Sequence, residues 1–170
     1  MITPVIAYLA LGSNLGDPVK QLVKARAAIN AIPGLEIVRA SSLHQSPAWG
    51  SDEPQPDYIN AVICVQTELS VHDLWRATSH IEAAHGRVRD GSRNAARTLD
   101  IDLLLYGDTA VNTPELTLPH PRMHERDFVL LPLVEIAPDV VIFGHGCASE
   151  CLRQITATKT RKLSHNSSWN

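Results

Sequence analysis

Two carboxylates stand inside a run that otherwise reads as a buried strand: Leu99-Asp100-Ile101-Asp102-Leu103-Leu104-Leu105-Tyr106, closed by Gly107. Extended chain rises about 3.3 Å per residue with side chains alternating between faces, so Asp100 and Asp102 share a face roughly 7 Å apart. Leu99, Ile101, Leu103 and Leu105 then make one apolar row, opposed by Asp100, Asp102, Leu104 and Tyr106. The apolar row demands a covering layer. The carboxylates repel each other and lose hydration unless positive charge lies between them. A divalent metal is the simplest such charge; for Asp-x-Asp alone, a hydrogen-bonded structural aspartate or a charged edge strand is the alternative. The flank tips the balance, because residues 86–97 hold Arg87, Arg89, Arg93 and Arg97 against the single Asp90. A carboxylate-held metal beside arginines frames a polyphosphate.

The remaining pattern supplies the frame for that strand. Residues 5–11 are apolar on both faces, as in a central strand, and pass into Gly12-Ser13-Asn14-Leu15-Gly16. That turn lacks the Gly-Lys-Ser/Thr of a P-loop and the dinucleotide fingerprint, so it reads as a strand-to-helix turn needing glycine dihedrals. Asp17-Pro18 offers an N-cap and a first-turn proline to a helix carrying Leu22, Ala25, Ile29 and Ile32, stopped by Pro33-Gly34. A strand over residues 35–43 leads to an irregular loop over 44–56, which contains Pro47, Gly50, Pro54 and Pro56. Residues 58–69 alternate, with Ile59, Ala61, Ile63, Val65 and Leu69 on one face and Tyr58 and Asn60 opening the other. Ser70 caps a second helix with Val71, Leu74, Trp75, Thr78 and Ile81 as its buried stripe, ended by Gly86. The order β-α-β-β-α-β predicts an α+β, ferredoxin-like sandwich: a mainly antiparallel sheet with helices packed on it and C-terminal additions. Both helices then cover one sheet face. Tyr58, Asn60, Asp100 and Asp102 fall together on the other.

Length and charge limit the function classes. The 170 residues, 44% hydrophobic, suit one compact domain over residues 1–157, with 158–170 a polar, frayed tail. A net charge of -3 argues against generic nucleic-acid binding, so the arginine cluster is a local, anion-directed patch. Three cysteines, Cys64, Cys147 and Cys151, fit a reducing, cytoplasmic setting rather than a disulfide scaffold. Residues 5–11 have no basic leader and read as a first strand, not a signal peptide. No apolar run approaches the roughly 20 residues of a membrane helix.

Six ordered motifs narrow this further: residues 10–17 (Ala-Leu-Gly-Ser-Asn-Leu-Gly-Asp), 46–50 (Ser-Pro-Ala-Trp-Gly), 55–61 (Gln-Pro-Asp-Tyr-Ile-Asn-Ala), 86–89 (Gly-Arg-Val-Arg), 97–102 (Arg-Thr-Leu-Asp-Ile-Asp) and 118–128 (Leu-Pro-His-Pro-Arg-Met-His-Glu-Arg-Asp-Phe). In this order and spacing the chain resembles the 6-hydroxymethyl-7,8-dihydropterin pyrophosphokinases of folate synthesis, over residues 5–155. The resemblance implies transfer of pyrophosphate from ATP to the pterin hydroxymethyl group, releasing AMP. It implies Asp100 and Asp102 as ligands of two Mg2+ ions, and Arg87 and Arg97 as catalytic arginines with those aspartates. Glu82, Arg87, Arg89, Arg93, Arg97, Leu103, Thr117, His120 and Arg126 are implied on the ATP side. Ser46, Pro47, Trp49, Tyr58, Asn60, Phe128 and Asp100 are implied around the pterin, Tyr58 and Phe128 as the aromatic faces that sandwich it. Asn94, Glu115 and Ser79 depart from the family's best-known member, which carries tryptophan, arginine and glutamine there. These departures bear on loop closure and ATP affinity, not on the reaction. The implied partners are the two small substrates, with no nucleic acid and no membrane, and a monomer is the expected state.

Two other classes share parts of this signature. Asp-x-Asp also serves metal-bound sugar nucleotides in glycosyltransferases, although paired aromatics suit a planar heterocycle better than a sugar. A ferredoxin-like nucleic-acid module needs a basic, aromatic sheet face, where this chain puts two aspartates.

Overall fold

The structure, a computed structural model, describes residues 2–48, 53–86 and 98–170. Strand β1 (Val5–Ser13) leads into helix α1 (Pro18–Asn30), then β2 (Leu35–Ala40), β3 (His44–Ser46), β4 (Tyr58–Thr67), α2 (Val71–Ala84) and β5 (Asp100–Tyr106). The helices begin where the capping residues stand. Asp17 accepts from the Lys20 amide at 3.2 Å and Ser70 from the Asp73 amide at 3.2 Å. Beyond β5 come a ribbon of β6 (Val111–Asn112) and β7 (Thr117–Leu118), helix α3 (Asp127–Ile136), a second ribbon of β8 (Val141–Ile142) and β9 (Gly146–Cys147), helix α4 (Ala148–Arg153) and β10 (Arg161–Lys162).

The main sheet runs β10-β3-β4-β1-β5, with β2 also on β4 and every pairing antiparallel. Without β3 and β10 the order is β5-β1-β4-β2, the arrangement a ferredoxin-like sandwich requires. On one face, Leu22, Ala25 and Ile29 of α1 and Leu74 and Ile81 of α2 close over Leu9, Leu11, Ile63, Val65, Ile101 and Leu103. On the other, Val129, Leu130 and Leu133 of α3 and Cys151 of α4 pack on Tyr8, Val62, Cys64 and Leu104. The helices on this second face cover only part of it, and the open remainder is where the unusual residues lie.

Three expectations are corrected. The alternation of β5 breaks at Leu104, because Tyr8 pairs with Leu105 and Leu9 with Leu103, leaving one extra residue between them. This bulge reverses the phase: Leu105 joins the α3 side, and Tyr106 turns to the α1/α2 side, where its hydroxyl donates to the Leu69 carbonyl at 2.6 Å. The segment 44–56 is not wholly irregular, since His44–Ser46 extends the β4 edge beyond β2. The tail is not frayed. Residues 161–162 add a strand to β3, and Trp169, 3% exposed, fills the helix-side core while its indole N–H donates to the Ser41 carbonyl at 2.7 Å. One large aromatic with its N–H satisfied offsets the polarity of the segment around it.

Candidate active site

Gly12 is the centre of the open face. It pairs with Asn60 on one side and Asp100 on the other, so three neighbouring strands bring Asn60, Gly12 and Asp100 into one row. Ala10 repeats the arrangement one step along, between Val62 and Asp102. Gly12 is strand rather than turn, and its missing side chain leaves room: a Cβ there would lie 3.3 Å from Asn60 Oδ1 and 3.6 Å from the Tyr58 ring. The left-handed turn position is Gly16, at φ 69°. The intervening residues act as pins. Ser13 Oγ donates to the Thr98 carbonyl, ahead of β5, and Asn14 Nδ2 donates to Gln55 Oε1 and the Pro56 carbonyl, both at 3.1 Å, ahead of β4. The Gly-Ser-Asn motif therefore holds together the starts of the two strands that carry the unusual side chains.

Around this floor lies a cleft of about 240 Å3 lined by Ala10, Leu11, Gly12, Ser46, Pro47, Tyr58, Asn60, Asp100, Asp102, His120, Arg126, Phe128 and Val129. It divides by chemistry. One end is aromatic and neutral, with Tyr58 from β4, Phe128 from the first turn of α3, Ser46 from the end of β3 and Pro47 just after it. Asn60 Nδ2 donates to Ser46 Oγ at 2.8 Å, which fixes the amide and leaves its oxygen toward Gly12. The other end is charged, with Asp100 and Asp102 facing His120 and Arg126. Burial pushes the Arg126 guanidinium down from its ordinary pKa, and the Asp102 and Asp100 carboxylates oppose that push. Its Cζ also lies 5.6 Å from the Phe128 ring centroid, joining the two ends.

His120 is held as a donor. Its Nδ1 accepts from the Arg122 amide at 3.2 Å, so the neutral ring carries its proton on Nε2. Burial, reinforced by Arg126, depresses its pKa to about 4. A proton NMR titration of the metal-free protein should therefore find this imidazole neutral down to about pH 4; a midpoint near the ordinary 6.5 would contradict the geometry. Between pH 6.5 and 4 the unfolded chain binds a proton that the folded chain refuses, so acidification through that window destabilises the fold.

Other expected site residues lie elsewhere. The Leu103 side chain points into the α1/α2 core, away from Asp102, because it has the opposite phase of β5. Thr117 is exposed on the β6–β7 ribbon, and Glu82 is buried in the last turn of α2; neither lines the cleft. Trp49, Arg87, Arg89, Arg93, Asn94 and Arg97 fall outside the described residues. His124, close in sequence to His120, stacks on His145 at 3.6 Å and 8° instead. Ala10, Leu11, Gly12 and Val129 also line the cleft. The register of β1 between Asn60 and Asp100 signals Gly12 and Ala10, whereas nothing in the local sequence marks Val129 of α3.

The carboxylate pair suits a magnesium ion. Two aspartates on one strand face present hard oxygen donors to a common space, and Mg2+ is ordinarily bound by one or two carboxylates with substrate phosphates and water completing its shell. Among the described residues no group of three or more His, Cys, Asp or Glu forms a self-sufficient metal cage. The open face of this α+β sandwich thus joins an end that carries Asp100, Asp102, His120 and Arg126 to an aromatic end that carries Tyr58 and Phe128.

The comparisons make the class specific. Residues 8–138 match the model of the 7,8-dihydro-6-hydroxymethylpterin-pyrophosphokinase family. The chain is 43% identical over 159 residues to the 2-amino-4-hydroxy-6-hydroxymethyldihydropteridine pyrophosphokinase of Haemophilus influenzae, covering 94% of this chain and 98% of that one. The enzyme of the same name from Methylorubrum extorquens is 46% identical over 138 residues, 81% and 86% of the two chains. The chain belongs to the 7,8-dihydro-6-hydroxymethylpterin-pyrophosphokinase family. In fold it also matches a solved HPPK-DHPS crystallised with substrates, at a TM-score of 0.73 and 10% identity; the match covers 95% of this chain and 47% of that one. The chain thus spans about half the length of that solved relative. Among the described residues no helix is long and apolar enough to cross a membrane.

Proposed function

We propose that this cleft transfers the β,γ-diphosphate of ATP to the hydroxymethyl oxygen of 6-hydroxymethyl-7,8-dihydropterin, in folate biosynthesis, with Asp100 and Asp102 holding two Mg2+ ions. The hydroxymethyl oxygen forms a bond to the β-phosphorus as its O–H bond breaks and the proton passes to water, and the bond from that phosphorus to the α,β-bridging oxygen breaks, so AMP leaves. The observation that carries this reading is the meeting of two different chemistries in one cleft: carboxylates, Arg126 and His120 at one end, Tyr58, Asn60 and Phe128 at the other. Magnesium bound at the carboxylates supplies charge neutralisation of the triphosphate and alignment of the attacking and leaving oxygens.

The protein's own groups do the rest. Tyr58 and Phe128 hold the bicyclic ring by its faces, and the Asn60 amide oxygen accepts from an edge N–H. The Nε2–H of His120 and the guanidinium of Arg126 donate to phosphate oxygens. With Nδ1 already accepting the Arg122 amide and Nε2 protonated, His120 is a donor and not the base that takes the hydroxyl proton. By the family resemblance Arg87 and Arg97 stabilise charge on the transferring group, and Arg89 and Arg93 serve the ATP side. The same resemblance assigns Glu82, Leu103 and Thr117, which lie outside the cleft, to the nucleotide and Trp49 to the pterin. The protein acts as a monomer in the cytoplasm.

Incubation with ATP, Mg2+ and hydroxymethyldihydropterin, followed by chromatography of the nucleotides, should yield AMP in step with the pterin diphosphate. ADP or inorganic phosphate as the main product would overturn the assignment.

A further inference from the structure

The C-terminal segment bonds to residues that flank the walls of the aromatic slot without lining it. The Lys159 and Thr160 amides both donate to Asp127 Oδ2, at 2.8 and 3.0 Å, and Asp127 immediately precedes Phe128. Arg161 and Lys162 pair with Gln45 and His44, directly before Ser46 and Pro47. Arg161 Nη2 donates to Gln45 Oε1 at 2.7 Å, and Gln45 Nε2 passes the link on to Asp57 Oδ2 at 2.9 Å, next to Tyr58. Leu163 donates its amide to the Leu43 carbonyl at 2.9 Å, and Trp169 anchors the end of the segment in the α1/α2 core.

The need for such a tether is visible behind Phe128. A second hollow of about 280 Å3 lies there, lined among others by Pro47, Ala48, Phe128, Ile155 and Lys159, and it shares Ser46, Pro47 and Phe128 with the cleft. These three residues are a partition with space on both sides. Packing alone does not fix a wall that is open at its back, whereas a carboxylate accepting two backbone N–H groups is a strong, directional restraint.

On the reading that Tyr58 and Phe128 bind the pterin, we infer that residues 159–163 form a strap that sets the width and orientation of the pterin slot, with Asp127 and Arg161 as positioning residues and Trp169 as the anchor. The strap's hydrogen bonds end on Asp127, Gln45, His44 and Leu43, beside Phe128 and Ser46, so its effect is selective for the heterocycle.

The test compares steady-state constants of the intact chain, a chain ending at Ala157, and an Asp127→Ala/Arg161→Ala double variant that keeps Trp169 in the core. Loss of the tether should raise the pterin KM by about fivefold or more, the equivalent of one lost hydrogen bond. The ATP KM and kcat per folded molecule should change by less than about twofold, by contrast with the roughly tenfold per 1.4 kcal/mol expected of lost phosphate contacts. The double variant decides the matter if the shortened chain does not fold. A pterin KM unchanged in a folded variant, or equal rises in both KM values, would overturn the strap. Tyr58→Ala runs as a control: if it too leaves the pterin KM unchanged, the slot assignment itself falls, and the strap with it.

Discussion

Asp100→Asn and Asp102→Asn should each abolish pyrophosphate transfer, lowering kcat by about three orders of magnitude or more, while the protein remains folded. The size follows from what the charge does. Without one carboxylate, the cation that neutralises the transferring phosphates is lost or misplaced, and several kcal/mol of transition-state stabilisation go with it; each 1.36 kcal/mol is about tenfold in rate. The fold is spared because both aspartates face the cleft and neither belongs to an apolar cluster. Removing one charge also relieves repulsion within the pair, so thermal stability of the metal-free protein should hold or rise. Single-turnover rates with a matching melting curve check both statements. A variant that keeps more than a tenth of the wild-type rate would contradict the role.

Tyr58→Ala and Phe128→Ala should each raise the pterin Kd by about ten- to a hundredfold, with little change in nucleotide affinity. An aromatic face contributes roughly 1.5–3 kcal/mol through buried area, plus about 1 kcal/mol through stacking geometry. Both rings are only half-buried, so truncation opens no core cavity of the kind that would cost stability instead. Calorimetric titration with the pterin in the presence of an unreactive ATP analogue reads the effect. Equal weakening of nucleotide and pterin would point to a general loss of structure and against the slot.

Much of this arrangement could be read from the chain because two kinds of periodicity act locally. Helical spacing with Asp17 and Ser70 as caps places α1 and α2, and alternation over residues 58–65 and 99–103 puts Tyr58, Asn60, Asp100 and Asp102 on one surface. Local patterns fail where pairing across strands decides. The bulge at Leu104 exists because Tyr8 and Leu9 pair with residues two apart on β5, and nothing in a run of three leucines marks it. Strand β3 hides among prolines because its partners are Asn60, Ile59 and Tyr58 rather than its own neighbours. The tail is polar residue by residue, so its docking rests on Trp169 finding a core built by α1 and the sheet.

The site divides in the same way. The carboxylate pair announces itself, since charge in an apolar strand needs a reason. Phe128 does not. Followed by Val129, Leu130 and Leu133, it reads as one more core residue of α3, and only the family resemblance or the cleft itself marks it as a wall. His120 and Arg126 look like solvated turn residues, and come to line the cleft because the chain after β7 folds back over β5, where the His120 amide donates to the Leu104 carbonyl at 3.0 Å.

The central claim is that the carboxylate pair and the aromatic slot share one ligand-binding cleft. Manganese in place of magnesium gives the most direct test, through paramagnetic relaxation of the bound pterin's protons in the presence of an unreactive ATP analogue. The hydroxymethyl and ring protons should broaden strongly with wild-type protein, and the broadening should vanish with Asp102→Asn while the pterin stays bound. A pterin that binds tightly yet shows no broadening beside the manganese-loaded wild-type protein would place the two chemistries in separate sites and contradict the account.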